Sequence, residues 1–176
     1  MQVRRVVTGR TPDGKSAFVS DEQIPPVTAG LVPGGEFHTI WGADETVQLP
    51  SDGSAPPMQG WFPPAGGFRF AFFTLGPTSA TLPADLDMTA AFVELNAKLP
   101  GLAEVMESDH PGMHTTDTID IDLVISGEVW LELDDGAERL LRAGDCVVQN
   151  GTRHAWHNRS DAPCVLAVAL IGARRT

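Results

Sequence analysis

Residues 114–127 read HTTDTIDIDLVISG, and this stretch decides the fold. Successive side chains of a β-strand point to opposite faces, so this strand has one polar face and one largely aliphatic face. The polar set comprises His114, Thr116, Thr118, Asp120 and Asp122, and Ile119, Ile121 and Leu123 lie on the other face with Asp117. In isolation, this pattern is typical of a half-exposed strand whose polar face meets water.

A second informative stretch, GDCVVQNGTRHAWHN, covers residues 144–158. His154 follows a glycine-containing turn and opens another predicted strand. Between the two stretches, LeuAspAspGly at 133–136 separates two alternating segments, which is a strong signal for a β-hairpin. The two histidine-bearing stretches are therefore predicted to be strands of the same sheet structure.

Together the two stretches resemble the paired motifs of the cupin superfamily. The first motif runs G, five residues, H-x-H, three or four residues, E, six residues, G; the sequence offers His114, x, Thr116, three residues, Asp120, six residues, Gly127. The second runs G, about five residues, P-x-G-x-x-H, three residues, N; here Gly144 precedes the segment from Gln149 to His154, and Asn158 follows. The resemblance looks closest to small one-domain bacterial cupins.

The resemblance implies an all-β cupin fold, a double-stranded β-helix or jelly-roll barrel, with one helical insertion at about 85–107. We expect a single domain over residues 1–176, with N-terminal strands in 1–75, the helical insertion in 76–113 and the motif core in 114–171. The 18 glycines and 14 prolines separate many short apolar runs, which is also typical of a sandwich or barrel.

Outside the motifs, turn and breaker residues delimit further elements. VRRVV and SAFVS flank the turn TPDGK, EFHTIW is expected to pair with ETVQL, residues 50–67 read as a loop, and FRFAFFTL reads as a buried strand. Asp85 or Asp87 is predicted to cap a helix whose apolar residues Met88, Ala91, Phe92, Leu95 and Leu99 recur at helical spacing before Pro100. Later strands are expected at about 114–125, 128–133, 137–141, 145–149, 154–158 and 163–171.

The net charge of −11 argues against nucleic acids and anionic membranes as partners, because both require a positive face. No apolar run approaches the length of a membrane helix, and the N-terminus lacks the pattern of a secretory signal, so we expect a cytoplasmic protein. Cys146 and Cys164 lack any metal-type spacing and are interpreted as core residues.

In metal-binding cupins, both histidines and the acid of the first motif, plus the histidine of the second, hold the ion. The resemblance therefore implies a divalent metal on His114, Asp120 and His154, with Thr116 at the position of the missing histidine. Two histidines and a carboxylate suit non-haem iron or catalytic zinc, and manganese or nickel stay open. Catalytic roles are predicted for Asp120, Asp122 and Thr116. Arg153, Trp156 and Asn158 are predicted to bind substrate.

Three functions remain open at this point. The first is a metal-dependent enzyme acting on a small oxygenated metabolite by dioxygenase, isomerase or lyase chemistry. The second is a metal-free isomerase or epimerase in which histidine and aspartate transfer protons. The third is a non-catalytic small-molecule-binding protein. A homodimer is the expectation that the fold family implies.

Overall fold

The computed structural model describes residues 1–176 and is built mainly of β-strands. The elements are β1 Val3–Arg10, β2 Ser16–Ile24, β3 Glu36–Ala43, β4 Phe68–Leu75, α1 Met88–Lys98, α2 Leu102–Val105, β5 Thr118–Ser126, β6 Glu128–Glu132, β7 Glu138–Arg142, β8 Cys146–Gln149, β9 Ala155–His157 and β10 Cys164–Gly172. This order confirms the predicted mainly β fold with one helical insertion.

The strands form three sheets. β1 and β2 make a hairpin, β3-β4-β10-β5-β8 form a five-stranded sheet, and β7-β6-β9 form a three-stranded sheet. The main core joins residues of β4, β5 and β10 to Val129 of β6, so it lies between the two larger sheets. Its buried members are Ala71, Leu75, Val124, Val129, Cys164, Leu166, Val168 and Leu170.

The hairpin predicted at 133–136 is present between β6 and β7. Asp135 and Gly136 both have positive φ, at 58° and 69°. The Ala137 N–H donates to the Asp134 carbonyl across these two residues, the Leu133 N–H donates to the Ala137 carbonyl, and glycine adopts positive φ without steric cost. The turn therefore sets the register in which Trp130 faces Leu140.

The helical insertion packs against β3. Asp87 caps α1 by accepting a hydrogen bond from the Ala90 N–H at 3.1 Å, as predicted. Leu95, Leu99 and Leu102 are buried against Phe37 in a second apolar cluster, whereas Met88 and Phe92 are exposed. Neither helix has the length and apolar character needed to cross a membrane.

Three sequence expectations are wrong in detail. ETVQL forms no strand, and β3 pairs with β4 instead. The preceding Asp44 binds the Arg69 side chain and the Gln59 N–H, and these bonds hold the chain in a loop. Cys146 is exposed rather than buried, because it lies on the outer face of β8. The strand expected from residue 114 begins at Thr118, and His114 forms only isolated bridges, to Met106 and to His154.

Candidate functional site

β5 carries its polar residues toward the barrel interior. It pairs with β10 on one side and β8 on the other, and its alternation buries Thr118, Asp120 and Asp122 while exposing Ile119 and Ile121. The two carboxyl groups are 4% and 5% exposed. Carboxyl groups are rarely buried to this extent unless they are paired, so their position indicates a functional interior rather than a structural one.

His114 and His154 are held as a pair by the backbone. Each backbone N–H donates to the other residue's carbonyl at 2.9 Å, and the ring centroids are 4.2 Å apart. Nδ1 of His114 lies 2.9 Å from the Gly112 carbonyl, and Nδ1 of His154 lies 2.9 Å from the Thr152 carbonyl. A carbonyl only accepts, so Nδ1 carries the proton on both rings and Nε2 offers its lone pair.

The two histidines and two aspartates line one interior cavity of about 130 Å³. Its other walls are mainly apolar and come from the barrel core and from the helical insertion. They are Val32, Phe37, Trp61, Phe62, Phe73, Leu102, Met106, Trp156, Val168 and Leu170. An apolar cavity with a few convergent polar groups is the usual form of a small-molecule site.

Burial raises the pKa of both carboxyl groups. Burial raises the pKa of Asp120 to about 6, although the nearby Thr118 hydroxyl acts in the opposite direction. For Asp122, burial and then the negative charge of Asp120 raise the pKa to about 7. The pair therefore exchanges protons near neutral pH, which is the range that general acid–base catalysis requires.

Burial shifts the pKa values of the two histidines in the opposite direction. It lowers the pKa of His114, against the Gly112 hydrogen bond and the charge of Glu107. Burial, followed by the charge of His114, lowers the pKa of His154 to about 4. Both imidazoles are therefore neutral at physiological pH, and their Nε2 atoms act as hydrogen-bond acceptors or ligands.

A buried polar cluster adjoins Asp120. Thr118 donates to the Thr116 hydroxyl at 2.8 Å, and the Gln149 carbonyl oxygen accepts from Thr152 at 2.7 Å. Asp120 Oδ1 and Gln149 Nε2 are both buried without a partner, and these two residues face each other across β5 and β8. Unpaired buried polar atoms carry a desolvation cost, which is a common feature of functional sites.

The structure places the predicted substrate-binding residues in different surroundings. Trp156 lines the cavity, and its ring meets that of His154 edge-on at 5.9 Å. Arg153 lies outside the cavity and donates to Glu107 at 2.6 and 2.7 Å and to Asp134 at 2.9 Å. Asn158 is 1% exposed, and its amide donates to the Leu75 and Ala162 carbonyls. These bonds assign Arg153 and Asn158 to the framework around the site, and Thr116 also lies outside the cavity lining.

The predicted metal ligands do not converge in this structure. Ligand atoms on one zinc ion lie within about 4.3 Å of one another, since each bond is about 2.1 Å long. The one group of three potential ligands whose atoms all lie within 4.8 Å is Glu107, Asp109 and His110. That group is largely exposed, and Glu107 is already paired with Arg153. The donor atoms of His114, Asp120 and His154 are of suitable types for a metal. They do not all lie within the distance that one ion requires, so they do not fit a metal as placed.

Two larger hollows lie on the surface. One of about 650 Å³ separates the β1–β2 hairpin from residues 44–57, and one of about 760 Å³ lies beside the C-terminus. Neither is lined by a histidine. The smaller interior cavity is the candidate site because it gathers four ionisable groups whose pKa values are shifted.

Sequence reasoning missed the groups that support the site. The sequence around Glu107 gave no indication of its ion pair, because its partner Arg153 is 46 residues away. Arg175 also escaped notice, although it donates to Asp117 and to the Thr116 and Gly151 carbonyls and so ties the two motif segments together. Gln149 was detectable from the alternation of β8, whose inner phase it shares with Val147.

The family Cupin_2, described as a cupin domain, matches residues 101–170. The match covers about two fifths of the chain, so the similarity concerns this segment. The matched region contains β5, both histidines and both aspartates, so the ionisable groups of the candidate site lie within it, whereas part of the apolar wall comes from residues before it.

Curated relatives of the cupin domain are fungal. Oryzines biosynthesis cluster protein J of Aspergillus oryzae is 40% identical over 100 residues, covering 52% of this chain and 56% of that protein. Phomopsin biosynthesis cluster protein C' of Diaporthe leptostromiformis is 36% identical over 101 residues, covering 53% of each chain. Cupin-domain-containing oxidoreductase virC of Hypocrea virens is 46% identical over 46 residues, covering 26% of this chain and 24% of that protein.

The length of these matches limits what the relatives indicate about this chain. The match spans only about half the length of the first two relatives, so the similarity concerns the cupin domain and not the whole of those proteins. The expectation of a bacterial cupin finds no support, because the relatives are fungal.

Proposed function

We propose that the chain is an enzyme that moves protons on a small oxygenated metabolite, by isomerase or lyase chemistry. The observation that carries this proposal is the pair Asp120 and Asp122, buried on one face of β5 and opening onto a cavity shared with two neutral histidines. Two carboxyl groups whose pKa values differ provide a base and an acid in one site. The names of the relatives, two of which are biosynthesis cluster proteins, support small-molecule metabolism as the setting.

The proposed roles follow from the acidity of each group. Asp120, with a pKa of about 6, is largely ionised at neutral pH and accepts a proton from a carbon next to a substrate carbonyl. Asp122, with a pKa of about 7, retains its proton in part and donates it to the carbonyl oxygen, which gives an enol. Return of a proton to another carbon, or loss of a leaving group, completes the reaction.

The remaining cavity residues position the substrate. Nε2 of His114 and of His154 accept hydrogen bonds from substrate hydroxyl groups, and Trp156 and Phe73 exclude water from the reacting atoms. A cavity of about 130 Å³ is small against the 300–1,000 Å³ of ordinary ligand pockets, so a three- or four-carbon compound or one end of a larger one fits.

Deuterium exchange tests this function without a known substrate. Pyruvate, acetoacetate and dihydroxyacetone are incubated in D₂O with the chain, and loss of the proton signal next to the carbonyl is followed by NMR. We expect the wild type to accelerate exchange of at least one probe, and Asp120→Asn and Asp122→Asn each to lower that rate about 100-fold or more. Asp117→Asn is the control, because Asp117 is exposed and bonded to Arg175. No acceleration for any probe, or equal rates in all variants, would overturn the proposal.

A metal-dependent enzyme is the second candidate. It is supported by the free Nε2 atoms of His114 and His154 and by the unpartnered Asp120 Oδ1 around the same cavity. A bound divalent metal would polarise a substrate oxygen, but it requires the ligands to move together from their present spacing.

Elemental analysis decides between the two candidates. Iron, zinc, manganese or nickel at near-stoichiometric amounts in the wild type, lost in His114→Ala and Asp120→Ala, would favour the metal enzyme. A chain that retains none of these ions after anaerobic loading, and still exchanges protons, is the metal-free enzyme. A chain that retains a ligand but neither metal nor exchange activity is a binding protein.

A further inference from the structure

Phe62 lies between the interior cavity and a larger hollow on the surface. It lines the cavity of about 130 Å³ that gathers the two histidines and the two aspartates, and it also lines the hollow of about 760 Å³ beside the C-terminus. No other residue lines both spaces. The Phe62 side chain therefore forms a partition between the proposed reaction site and a space as large as an ordinary ligand pocket.

The backbone on both sides of Phe62 is held in place by hydrogen bonds. The Trp61 N–H donates to the Pro100 carbonyl at 2.9 Å, and the Gly66 N–H donates to the Gly172 carbonyl at 3.1 Å. Gly172 leaves no room for a side chain, because a Cβ there would lie 1.8 Å from a carbonyl oxygen of the same loop. Since the loop backbone is fixed at both ends, the partition opens through rotation of the Phe62 side chain.

The neighbouring Trp61 is the more rigid wall of the cavity. It separates the cavity from a third hollow, of about 220 Å³, and its ring lies edge-on to that of Phe37 at 5.0 Å. Phe62 is half-buried and packs against both apolar clusters, but its ring has no aromatic partner. Rotation of Phe62 therefore breaks fewer specific contacts than rotation of Trp61.

We propose that Phe62 determines the specificity of the site by excluding carbonyl compounds longer than about four carbons, which enter from the hollow beside the C-terminus. A longer compound whose carbonyl reached Asp120 and Asp122 would overlap the Phe62 ring. The identity of the reacting group rests on the proposed function. The position of Phe62 between the two spaces does not depend on it.

Chemical modification of the histidines tests this position without any substrate. Diethyl pyrocarbonate acylates neutral imidazole, and peptide mass spectrometry locates the products. His154 lines the cavity and is 2% exposed, whereas His38 lies outside the cavity and is 0% exposed. The ratio of the two rates corrects for general loosening of the fold. We expect Phe62→Ala to raise the ratio of His154 to His38 modification about 10-fold or more, and Phe62→Trp to lower it.

Phe73→Ala is the matched control for this measurement. Phe73 is also a half-buried phenylalanine that lines the cavity, but it does not line the hollow. The substitution enlarges the cavity without opening it, so the modification ratio should stay near that of the wild type. A ratio that is unchanged in Phe62→Ala would overturn the proposal. A ratio that rises in Trp61→Ala but not in Phe62→Ala would do so too, by placing the entrance at the third hollow.

Substrate length tests the specificity in the deuterium-exchange assay. Each short probe is paired with a six-carbon homologue, pyruvate with 2-oxohexanoate and acetoacetate with 3-oxohexanoate. We expect the wild type to exchange the short member about 10-fold faster or more, and Phe62→Ala to remove this preference by accelerating exchange of the long member.

The outcomes separate this inference from the proposed function. A wild type that exchanges long and short members equally fast would refute the role of Phe62 and leave the proposed function standing. Absence of exchange for every compound and variant would refute the proposed function and the specificity with it. The modification ratio would still decide whether Phe62 closes the cavity.

Discussion

The inner and outer faces of β5 depart from an ordinary surface strand in opposite directions. The inner face buries two carboxyl groups, Asp120 and Asp122, whereas the outer face exposes aliphatic side chains such as Ile121. Buried carboxyl groups lower stability when ionised, and exposed aliphatic groups gain nothing from folding. Neither the buried carboxyl groups nor the exposed aliphatic side chains help the chain to fold, so each indicates a role other than folding. The inner face indicates a ligand site, whereas the outer face is an exposed apolar surface.

The largest expected effect concerns the inner face and appears as a pH dependence. The pKa of Asp122 is raised from its unfolded value of 3.8 to about 7, so its contribution to stability is fully present below pH 3.8 and is lost as the pH rises through 7. Relative to Asp122→Asn, the free energy of unfolding of the wild type should therefore fall by about 4 kcal/mol between pH 4 and pH 8. Urea unfolding of chelator-treated protein across this range measures the difference.

The histidines do not obscure this comparison. Their lowered pKa values act in the opposite sense, because a neutral buried His154 gains stability as the pH rises from about 4 to 6.5. Both chains contain both histidines, so this contribution cancels in the difference. Ile121→Thr serves as the outer-face control and should give an offset that does not vary with pH. A constant difference between wild type and Asp122→Asn would mean that Asp122 titrates as in the unfolded chain.

A smaller effect on the free energy of unfolding is expected from packing, which differs between the two faces of β5. Val124 is 1% exposed in the core between the sheets, so Val124→Ala should lower the free energy of unfolding by about 2 kcal/mol at any protein concentration. Ile121→Thr should cost less than about 0.5 kcal/mol in dilute solution. If a second copy covers the outer face, this cost should grow with protein concentration, because association stabilises only the wild type. Melting temperatures measured at several concentrations distinguish the two substitutions.

The sequence predicted the inner face of β5 well, because a strand has a fixed alternation. Once Thr118, Asp120 and Asp122 were placed on the same face, their common inward orientation followed from the two-residue period. The turn at 133–136 was equally predictable, since AspGly accepts the positive φ that a tight hairpin needs. These features depend on residues within a few positions of one another.

Long-range contacts were not predictable in the same way. Nothing near Arg153 indicates that its guanidinium group binds Glu107 rather than a substrate, and Asn158 lies in a motif position that suggested the same role. The spacing between Asp120 and the histidines depends on how two sheets meet, which local patterns do not fix. ETVQL has the composition of a strand, but it lacks a free partner because β3 pairs with β4.

The smallest expected effect concerns the cover of the cavity. Leu102 and Met106 line the cavity from the helical insertion. Glu107, which follows Met106, forms an ion pair with Arg153 of the second motif. Glu107→Gln should remove this ion pair and increase hydrogen exchange at the Glu107 and Met113 amides, with a smaller change in melting temperature than Val124→Ala, since the pair is partly exposed. Arg153→Lys keeps the charge but loses the two-pronged contact, so it should increase exchange less than Glu107→Gln. Exchange that is unchanged in both variants would mean that the apolar contacts of Leu102 hold this segment without the ion pair.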